Sequence, residues 1–167
     1  TGGVGAAVAQ GLAGAGFHVV ITDLEAQACD ALADEITQKG GSAEGAALDV
    51  TDRAAVEALF ARQDDKGGID TLVTSAAIVK AAPILDFDPE DWTRILDVNL
   101  TDTFHCCQAA GRRMAEAGFG RIITISSVNG QIANSYRGAY SCTKGGVDML
   151  TRLLAAELGA KGVTANA

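Results

Sequence analysis

Apolar residues follow two different periods along this chain, and the alternation between them predicts its secondary structure. Buried parallel strands read as short, nearly continuous apolar runs, whereas helices place apolar residues three or four positions apart. Runs of the first kind predict strands at 18–23, 43–50, 69–73, 122–125 and 163–167. Segments with helical spacing lie between them: one after the glycine-rich opening that runs to about residue 15, others at about 25–38, 53–63 and 100–117, and one around Tyr140. This pattern is typical of an α/β domain with a buried sheet.

Local signals mark one further helix. Asp88 precedes Pro89, and acidic residues follow at once. Aspartate accepts hydrogen bonds from the free N–H groups of a helix start, proline suits the first helical position, and acidic side chains there favour the helix dipole. We therefore expect a helix that begins at Pro89, with Asp88 as its N-cap.

Composition and charge argue against several classes of protein. The chain has 167 residues, 48% of them hydrophobic, which suits one domain over 1–167 with a sizeable core. Its net charge of −8 argues against a nucleic acid or an anionic membrane as partner, because either calls for a basic patch. We expect no membrane span, since no apolar run approaches ~18 residues, and no signal peptide, since the N-terminus lacks a charged region followed by an apolar segment. The four cysteines lack Cys-x-x-Cys spacing and histidine partners, so we expect no metal site and a cytoplasmic location.

The strongest candidate for chemistry is the run Tyr140-Ser141-Cys142-Thr143-Lys144. Residues four apart lie one above the other on a helix, so Lys144 can bring its ammonium beneath the Tyr140 ring. An adjacent cation stabilises a phenolate, which lets a phenol exchange protons nearer neutral pH. Ser127 follows a predicted buried strand and so lies at the carboxyl edge of the sheet, where ligands bind. A Tyr-x-x-x-Lys spacing is only suggestive alone, and its coincidence with Ser127 predicts an acid–base site.

A glycine-rich helix start occupies the first residues, Thr1-Gly2-Gly3-Val4-Gly5. Glycines let the backbone approach a pyrophosphate, and a helix N-terminus offers free N–H groups and a positive dipole. Alone, this pattern is equally typical of a tight turn. Asp23 ends the strand over 18–23 and can accept hydrogen bonds from an adenosine ribose, while it would repel the extra phosphate of NADP. Aspartate is also a favoured helix N-cap, so both roles for Asp23 stay open.

These motifs together resemble the short-chain dehydrogenase/reductase family. They follow the family's order: Gly3-Val4-Gly5, Asp23, Leu48-Asp49-Val50, Val98-Asn99-Leu100, Ile125-Ser126-Ser127 and Tyr140-Ser141-Cys142-Thr143-Lys144. The resemblance implies a Rossmann-like doubly wound parallel sheet, with three α/β/α layers, in a single dinucleotide-binding catalytic domain. It places the catalytic set on Asn99, Ser127, Tyr140 and Lys144. Family members have the catalytic serine thirteen residues before the tyrosine, which selects Ser127 over Ser126.

The family's chemistry then implies a role for each of the four residues. Tyr140 is the general acid/base, Ser127 donates a hydrogen bond to the substrate carbonyl oxygen, and Lys144 supports Tyr140 and holds the nicotinamide ribose. Asn99 holds a water of a proton relay; as an alternative, its side chain simply bonds neighbouring backbone. We therefore predict an oxidoreductase that transfers a hydride between NAD(P) and a small secondary alcohol or ketone. The motifs are closest in character to those of 3-oxoacyl-thioester reductases and sugar or polyol dehydrogenases.

The resemblance also assigns the cofactor contacts, which fall on Gly3, Val4, Gly5, Asp23, Asp49, Val50, Ala76, Ala77, Tyr140 and Lys144. No arginine or lysine lies within ten residues after Asp23 to bind the extra phosphate, so we expect NAD rather than NADP. Asp49 borders the adenine ring in the family. An ordinary turn residue before a helix is an equal alternative for Asp49.

Two features depart from the family pattern. Thr74-Ser75-Ala76-Ala77 stands where the family usually has Asn-Asn-Ala-Gly, so two amides are replaced by shorter hydroxyls and a methyl group lies beside the adenosine. This puts the cofactor affinity in doubt and keeps an alternative open, a catalytically silent, redox-sensing nucleotide-binding module. The family's first strand would precede residue 1 and its substrate lid would follow Ala167. We therefore expect a fragment of a longer parent, which forms a homodimer or homotetramer.

Overall fold

The structure is a computed structural model that describes all residues from 1 to 167. Its contacts divide the chain into two compact units, Thr1–Asp52 (unit 1) and Arg53–Ala167 (unit 2). Each unit contains one sheet, in which every strand runs parallel to its neighbour, and helices connect the strands. The predicted α/β class is confirmed. The single domain over 1–167 stays a prediction.

Unit 1 consists of two helix–strand pairs with a small apolar core. Its elements are α1 (Gly3–Gly14), β1 (His18–Asp23), α2 (Ala26–Gln38) and β2 (Ser42–Ala47). The strands pair from His18 opposite Ser42 to Asp23 opposite Ala47. Buried side chains of α1, β1 and α2 form the core: Ala9, Ala13, Ile21, Cys29, Leu32, Ala33 and Ile36. The parallel register brings the carboxyl ends of both strands to one edge of this sheet.

Unit 2 holds a three-stranded sheet in the order β3-β4-β5. Its elements are α3 (Arg53–Asp64), β3 (Thr71–Thr74), α4 (Pro89–Leu96), α5 (Asp102–Ala117), β4 (Gly120–Thr124), α6 (Gly138–Leu158) and β5 (Val163–Asn166). Short 3-10 turns lie at Ile84–Asp86, Val128–Gly130 and Gly159–Lys161. Ile122 on β4, Val163 on β5 and Met114 on α5 are fully buried, so the core lies between the sheet and its helices.

A π-helical turn, Asp97–Thr101, joins α4 directly to α5. The three segments form one continuous helical run, whereas the sequence pattern predicted a helix start near residue 100. Such turns widen a helix locally and occur frequently at functional sites. This one contains Asn99.

Most predicted boundaries agree with the structure. The predicted cap of α4 is confirmed, because the Asp88 carboxylate accepts hydrogen bonds from the backbone N–H groups of Glu90 and Asp91 at 2.8 and 3.2 Å. The strand predicted over 43–50 is wrong at its end, since β2 stops at Ala47. No helix is both long enough and apolar enough to cross a membrane, and all four cysteines are free thiols.

Candidate active site

Tyr140 and Lys144 lie one helical turn apart on α6, as their spacing predicted. The Lys144 Nζ atom is 5.6 Å from the centroid of the Tyr140 ring. A cation at this distance is attracted to the ring face and lies close enough to influence a charge on the phenol oxygen. The i, i+4 spacing alone produces this proximity.

Lys144 is almost completely buried, with 3% of its surface exposed. Its Nζ donates a hydrogen bond of 2.6 Å to the backbone carbonyl of Ile125, the residue that follows β4. Burial lowers the pKa of Lys144, because it disfavours the charged form, and the nearby Asp148 carboxylate raises it. The hydrogen bond fixes the ammonium between α6 and the carboxyl end of β4.

Ser127 lies two residues after Ile125, at the same strand end. Its backbone is extended, and it caps the 3-10 turn Val128–Gly130. The Ser127 Oγ accepts a hydrogen bond from the Asn129 N–H at 3.2 Å, which leaves its hydroxyl proton for another acceptor. The neighbouring Ser126 hydroxyl instead donates to Asp148. The Ser126 hydroxyl is therefore already used as a donor, whereas the Ser127 hydroxyl can still donate a hydrogen bond to a substrate.

Asn99 has no exposed surface and links two segments of unit 2. Its Oδ1 accepts from the Ile78 N–H at 2.8 Å, and its Nδ2 donates to the Ile78 carbonyl at 2.9 Å and to Thr143 Oγ1 at 3.2 Å. The bonds to Ile78 reach across 21 residues of sequence, so the side chain does bond backbone, but not the neighbouring backbone of its own helix. Asn99 thus fixes the loop after β3 to the helix that carries Lys144.

The structure therefore connects the four predicted catalytic residues within unit 2. Asn99 contacts Thr143, the residue before Lys144, and Lys144 faces Tyr140 and holds the strand end that leads to Ser127. Sequence reasoning missed two groups that complete these links, Thr143 and the pair Ser126 and Asp148. A helical-spacing argument would have found Asp148, since it lies four residues after Lys144.

The residues predicted to bind a pyrophosphate lie in unit 1 at the start of α1. Gly3 has a φ of +52°, which favours glycine, and no side chain caps this helix end. A Cβ built on Gly2 or Gly3 would meet no protein atom within 4 Å, and no acidic side chain lies in the first turn. A helix start without a side-chain cap, whose glycines have open space on their Cβ side, fits a phosphate group. Val4 is exposed on the first turn, and Gly5 follows it.

Asp23 ends β1 with a well-bonded carboxylate. Its Oδ2 accepts from the Thr1 ammonium at 2.6 Å and from the Thr1 hydroxyl at 2.8 Å, and its Oδ1 accepts from the Leu24 N–H at 2.8 Å. The N-cap residue of α2 is Glu25, so the alternative helix-cap role of Asp23 is wrong.

The other predicted cofactor contacts are exposed or half-buried. Asp49 Oδ1 accepts from Thr51, from its N–H at 2.9 Å and its hydroxyl at 2.7 Å, and these bonds lower the pKa of Asp49. Asp49 therefore has the ordinary turn role that was one of its two alternatives, although it stays open to solvent. Val50 follows it and is half-buried, and Ala76 and Ala77 are exposed after β3.

Comparison with known proteins assigns the family. The model of the short chain dehydrogenase family matches residues 1–167, so the chain belongs to the short-chain dehydrogenase/reductase family. It is 39% identical to a D-threitol dehydrogenase of Mycolicibacterium smegmatis, covering 98% of this chain and 64% of that protein. It is 38% identical to a 3-oxoacyl-[acyl-carrier-protein] reductase of Synechocystis, covering 99% of this chain and 68% of that protein.

Solved structures agree with this assignment. A gluconate 5-dehydrogenase from Burkholderia cenocepacia, in complex with NADP and tartrate, superimposes with a TM-score of 0.94 at 37% identity, covering 99% of this chain and 65% of that one. The predicted Rossmann-like α/β fold is confirmed. The chain spans roughly two thirds of the length of these relatives, between 64 and 68%.

Proposed function

We propose that this chain carries the acid–base centre of an NAD(P)-dependent oxidoreductase that interconverts secondary alcohols and ketones. The observation that carries the proposal is the buried Lys144 ammonium, which faces the Tyr140 ring and is bonded to the strand end leading to Ser127. Burying an ammonium costs free energy unless hydrogen bonds or opposite charges compensate, and such groups are frequent at functional sites. The ring that the Lys144 ammonium faces is that of Tyr140, whose phenol can exchange a proton with a substrate.

Tyr140, Lys144 and Ser127 each have one role in the proposed reaction. An alcohol that is oxidised loses a hydride from carbon and a proton from oxygen, and NAD(P), when bound, supplies the hydride acceptor. The Tyr140 oxygen takes the proton as general base and returns it in the reverse direction. Lys144 stabilises negative charge on that oxygen, and the free hydroxyl of Ser127 donates a hydrogen bond to the substrate oxygen.

Asn99 belongs to the proposed proton relay through its backbone. Its side chain is already committed to Ile78 and Thr143, so it has no free group for a substrate. Its backbone carbonyl accepts from the Thr103 hydroxyl at 2.9 Å, and we propose that a water is its second donor. A proton relay from Lys144 to solvent requires a water bound in this way.

Within the NAD(P) class we propose NAD as the preferred cofactor, with Gly3, Val4 and Gly5 at the pyrophosphate and Asp23 at the adenosine ribose. A carboxylate at the end of β1, with no basic side chain in the ten residues that follow, supports NAD. The NADP in the Burkholderia cenocepacia structure supports the other cofactor for that relative. The assay below therefore uses both cofactors.

The substrate proposal rests on the relatives and on the residues near Tyr140. The relatives act on threitol, gluconate and 3-oxoacyl groups, as their names state, so we propose polyols or 3-hydroxyacyl thioesters. Val128 and Ile132, on the segment before α6, are exposed and offer an apolar surface to a substrate.

A homo-oligomer is supported by the exposed Phe104 on α5 and Met149 on α6.

The test is the absorbance of reduced nicotinamide at 340 nm, measured with the full-length protein, NAD or NADP, and a panel of polyols and 3-hydroxyacyl thioesters. Tyr140→Phe keeps the ring but removes the proton, so we expect kcat to fall by at least ~10²-fold. Tyr136→Phe is the matched control, since this exposed tyrosine has no lysine four residues on, and we expect it to stay near wild type.

Two results would contradict the proposal in different ways. Near-normal turnover of Tyr140→Phe would exclude Tyr140 as the acid/base. Binding of either cofactor without turnover of any substrate would favour the catalytically silent nucleotide-binding module. The departure from the family pattern at Thr74–Ala77 would then be the next site to test by substitution.

A further inference from the structure

We infer that Asp148 is a positioning residue, whose hydrogen bond with Ser126 fixes the end of β4 against α6 and so holds Ser127 in place for the proposed reaction. This inference rests on the proposed function, since Ser127 matters only if the site is catalytic. Asp148 lies outside every motif that identifies the family in this sequence. It would act through Ser126 and touch neither substrate nor cofactor.

Two consecutive residues after β4 are attached to α6. The Ile125 carbonyl accepts from Lys144 Nζ at 2.6 Å, and the Ser126 hydroxyl donates to the Asp148 carboxylate. The two helix residues lie one turn apart, so the strand end is held at two points along the same helix face. Ser127 is the next residue, so these two hydrogen bonds determine its position.

Close packing on the other side of Asp148 leaves the carboxylate little freedom. A Cβ built on Gly130 would lie 2.9 Å from Asp148 Oδ2 and 2.9 Å from the Lys144 carbonyl carbon. A Cβ built on Gly145 would lie 3.3 Å from the Gly130 oxygen. The turn Val128–Gly130 therefore lies directly on α6, and the Asp148 carboxylate lies between this turn and the strand end.

The chain offers a matched control for a purely structural role. Thr124 on β4 and Thr151 on α6 also join this strand to this helix, with 2.7 Å between their hydroxyl oxygens. Both are buried, and Thr151 lies two turns beyond Lys144. Thr151→Val removes that link without altering the attachment next to Ser127.

The experiment compares Asp148→Ala, Ser126→Ala, the double variant and Thr151→Val in the full-length protein. We expect each of the first two to lower kcat about tenfold with unchanged KM for the cofactor, because a small displacement of a reacting group lowers the rate steeply. The double variant should lose no more than either single one, because both remove the same bond. Asp148→Asn, which keeps an acceptor oxygen, should restore kcat to within about threefold of wild type.

Amide hydrogen exchange gives a readout that does not require turnover. In Asp148→Ala we expect faster exchange over residues 126–130, whereas Thr151→Val should leave these amides unchanged. Additive losses of kcat in the double variant, or an equal loss in Thr151→Val, would overturn the inference. If wild type shows no turnover, the proposed function fails, and unchanged exchange in Asp148→Ala would separately overturn the positioning role.

Discussion

The predicted functional residues of the two units are held in different ways. In unit 1, Gly3 has no neighbour on its Cβ side within 4 Å, and Asp49 bonds only to a residue two positions away. In unit 2, Asn99 and Lys144 are buried and bond to groups 21 and 19 residues away in sequence. The contacts of Gly3 and Asp49 are thus local, and Asp23 bonds across unit 1 only to Thr1, whereas long-range hydrogen bonds hold Asn99 and Lys144 in unit 2.

This difference has a physical reason. Proton transfer and charge stabilisation depend on fixed dipoles and fixed distances, which buried and fully bonded groups provide. A phosphate needs only free N–H groups at a helix end, and the ligand completes their hydrogen bonds when it binds. Substitutions in unit 2 should therefore affect stability together with activity, and those in unit 1 should affect mainly binding.

The largest effect on stability is expected for Asn99→Ala. The change removes three hydrogen bonds and leaves the N–H and carbonyl of Ile78 without partners, so we expect the free energy of unfolding to fall by about 2–4 kcal/mol. Urea denaturation monitored by circular dichroism measures this. The control is Asn134→Ala, whose exposed side chain bonds only to Asn129 and should change stability by less than ~0.5 kcal/mol. Equal effects of the two variants would contradict the conclusion that the buried hydrogen bonds of Asn99 stabilise unit 2.

A smaller loss is expected for Gly130→Ala. The new methyl group would lie 2.9 Å from the backbone of Lys144 and from Asp148, so the turn must move away from α6, which costs about 1–3 kcal/mol. Gly159→Ala is the control, because its Cβ would meet nothing within 4 Å and its φ of −56° suits alanine. Thermal melts of both variants, with kcat measured in parallel, should show both losses in Gly130→Ala alone. A wild-type melting midpoint for Gly130→Ala would show that the turn is not closely packed.

These contrasts also explain which parts of the molecule the sequence could predict. The strands, most helices and the contact of Tyr140 with Lys144 depend on local periodicity and i, i+4 spacing, and the sequence predicted them. The cap at Asp88 depends on three neighbouring residues and was equally predictable.

Features that depend on distant residues were missed. The π-helical turn is not distinguished from an ordinary helix by apolar spacing, and the partner of Asn99, Ile78, is 21 residues away. The end of β2 was placed too late because Leu48 and Val50 continue the apolar run, whereas the Asp49 side chain already forms a turn with Thr51. The Asn99–Ile78 hydrogen bonds are of long range and have no signal in a single sequence, whereas the Asp49 turn is local.

The smallest effect is expected in unit 1, for the cofactor preference at Asp23. Asp23→Asn keeps one acceptor oxygen, replaces the other by an NH2 donor, and removes the negative charge that would repel the extra phosphate of NADP. Two unit charges about 4 Å apart in water interact by ~1 kcal/mol, so we expect the ratio of kcat/KM for NAD to that for NADP to fall about five- to tenfold. Asp34→Asn, an exposed acid on α2, is the control and should leave the ratio unchanged.

Thermal stability should change little in either variant, because Asp23 is bonded to its own strand end and to Thr1 rather than to a buried network. An unchanged ratio in Asp23→Asn would remove the physical basis of the proposed NAD preference while leaving the acid–base centre of unit 2 untouched.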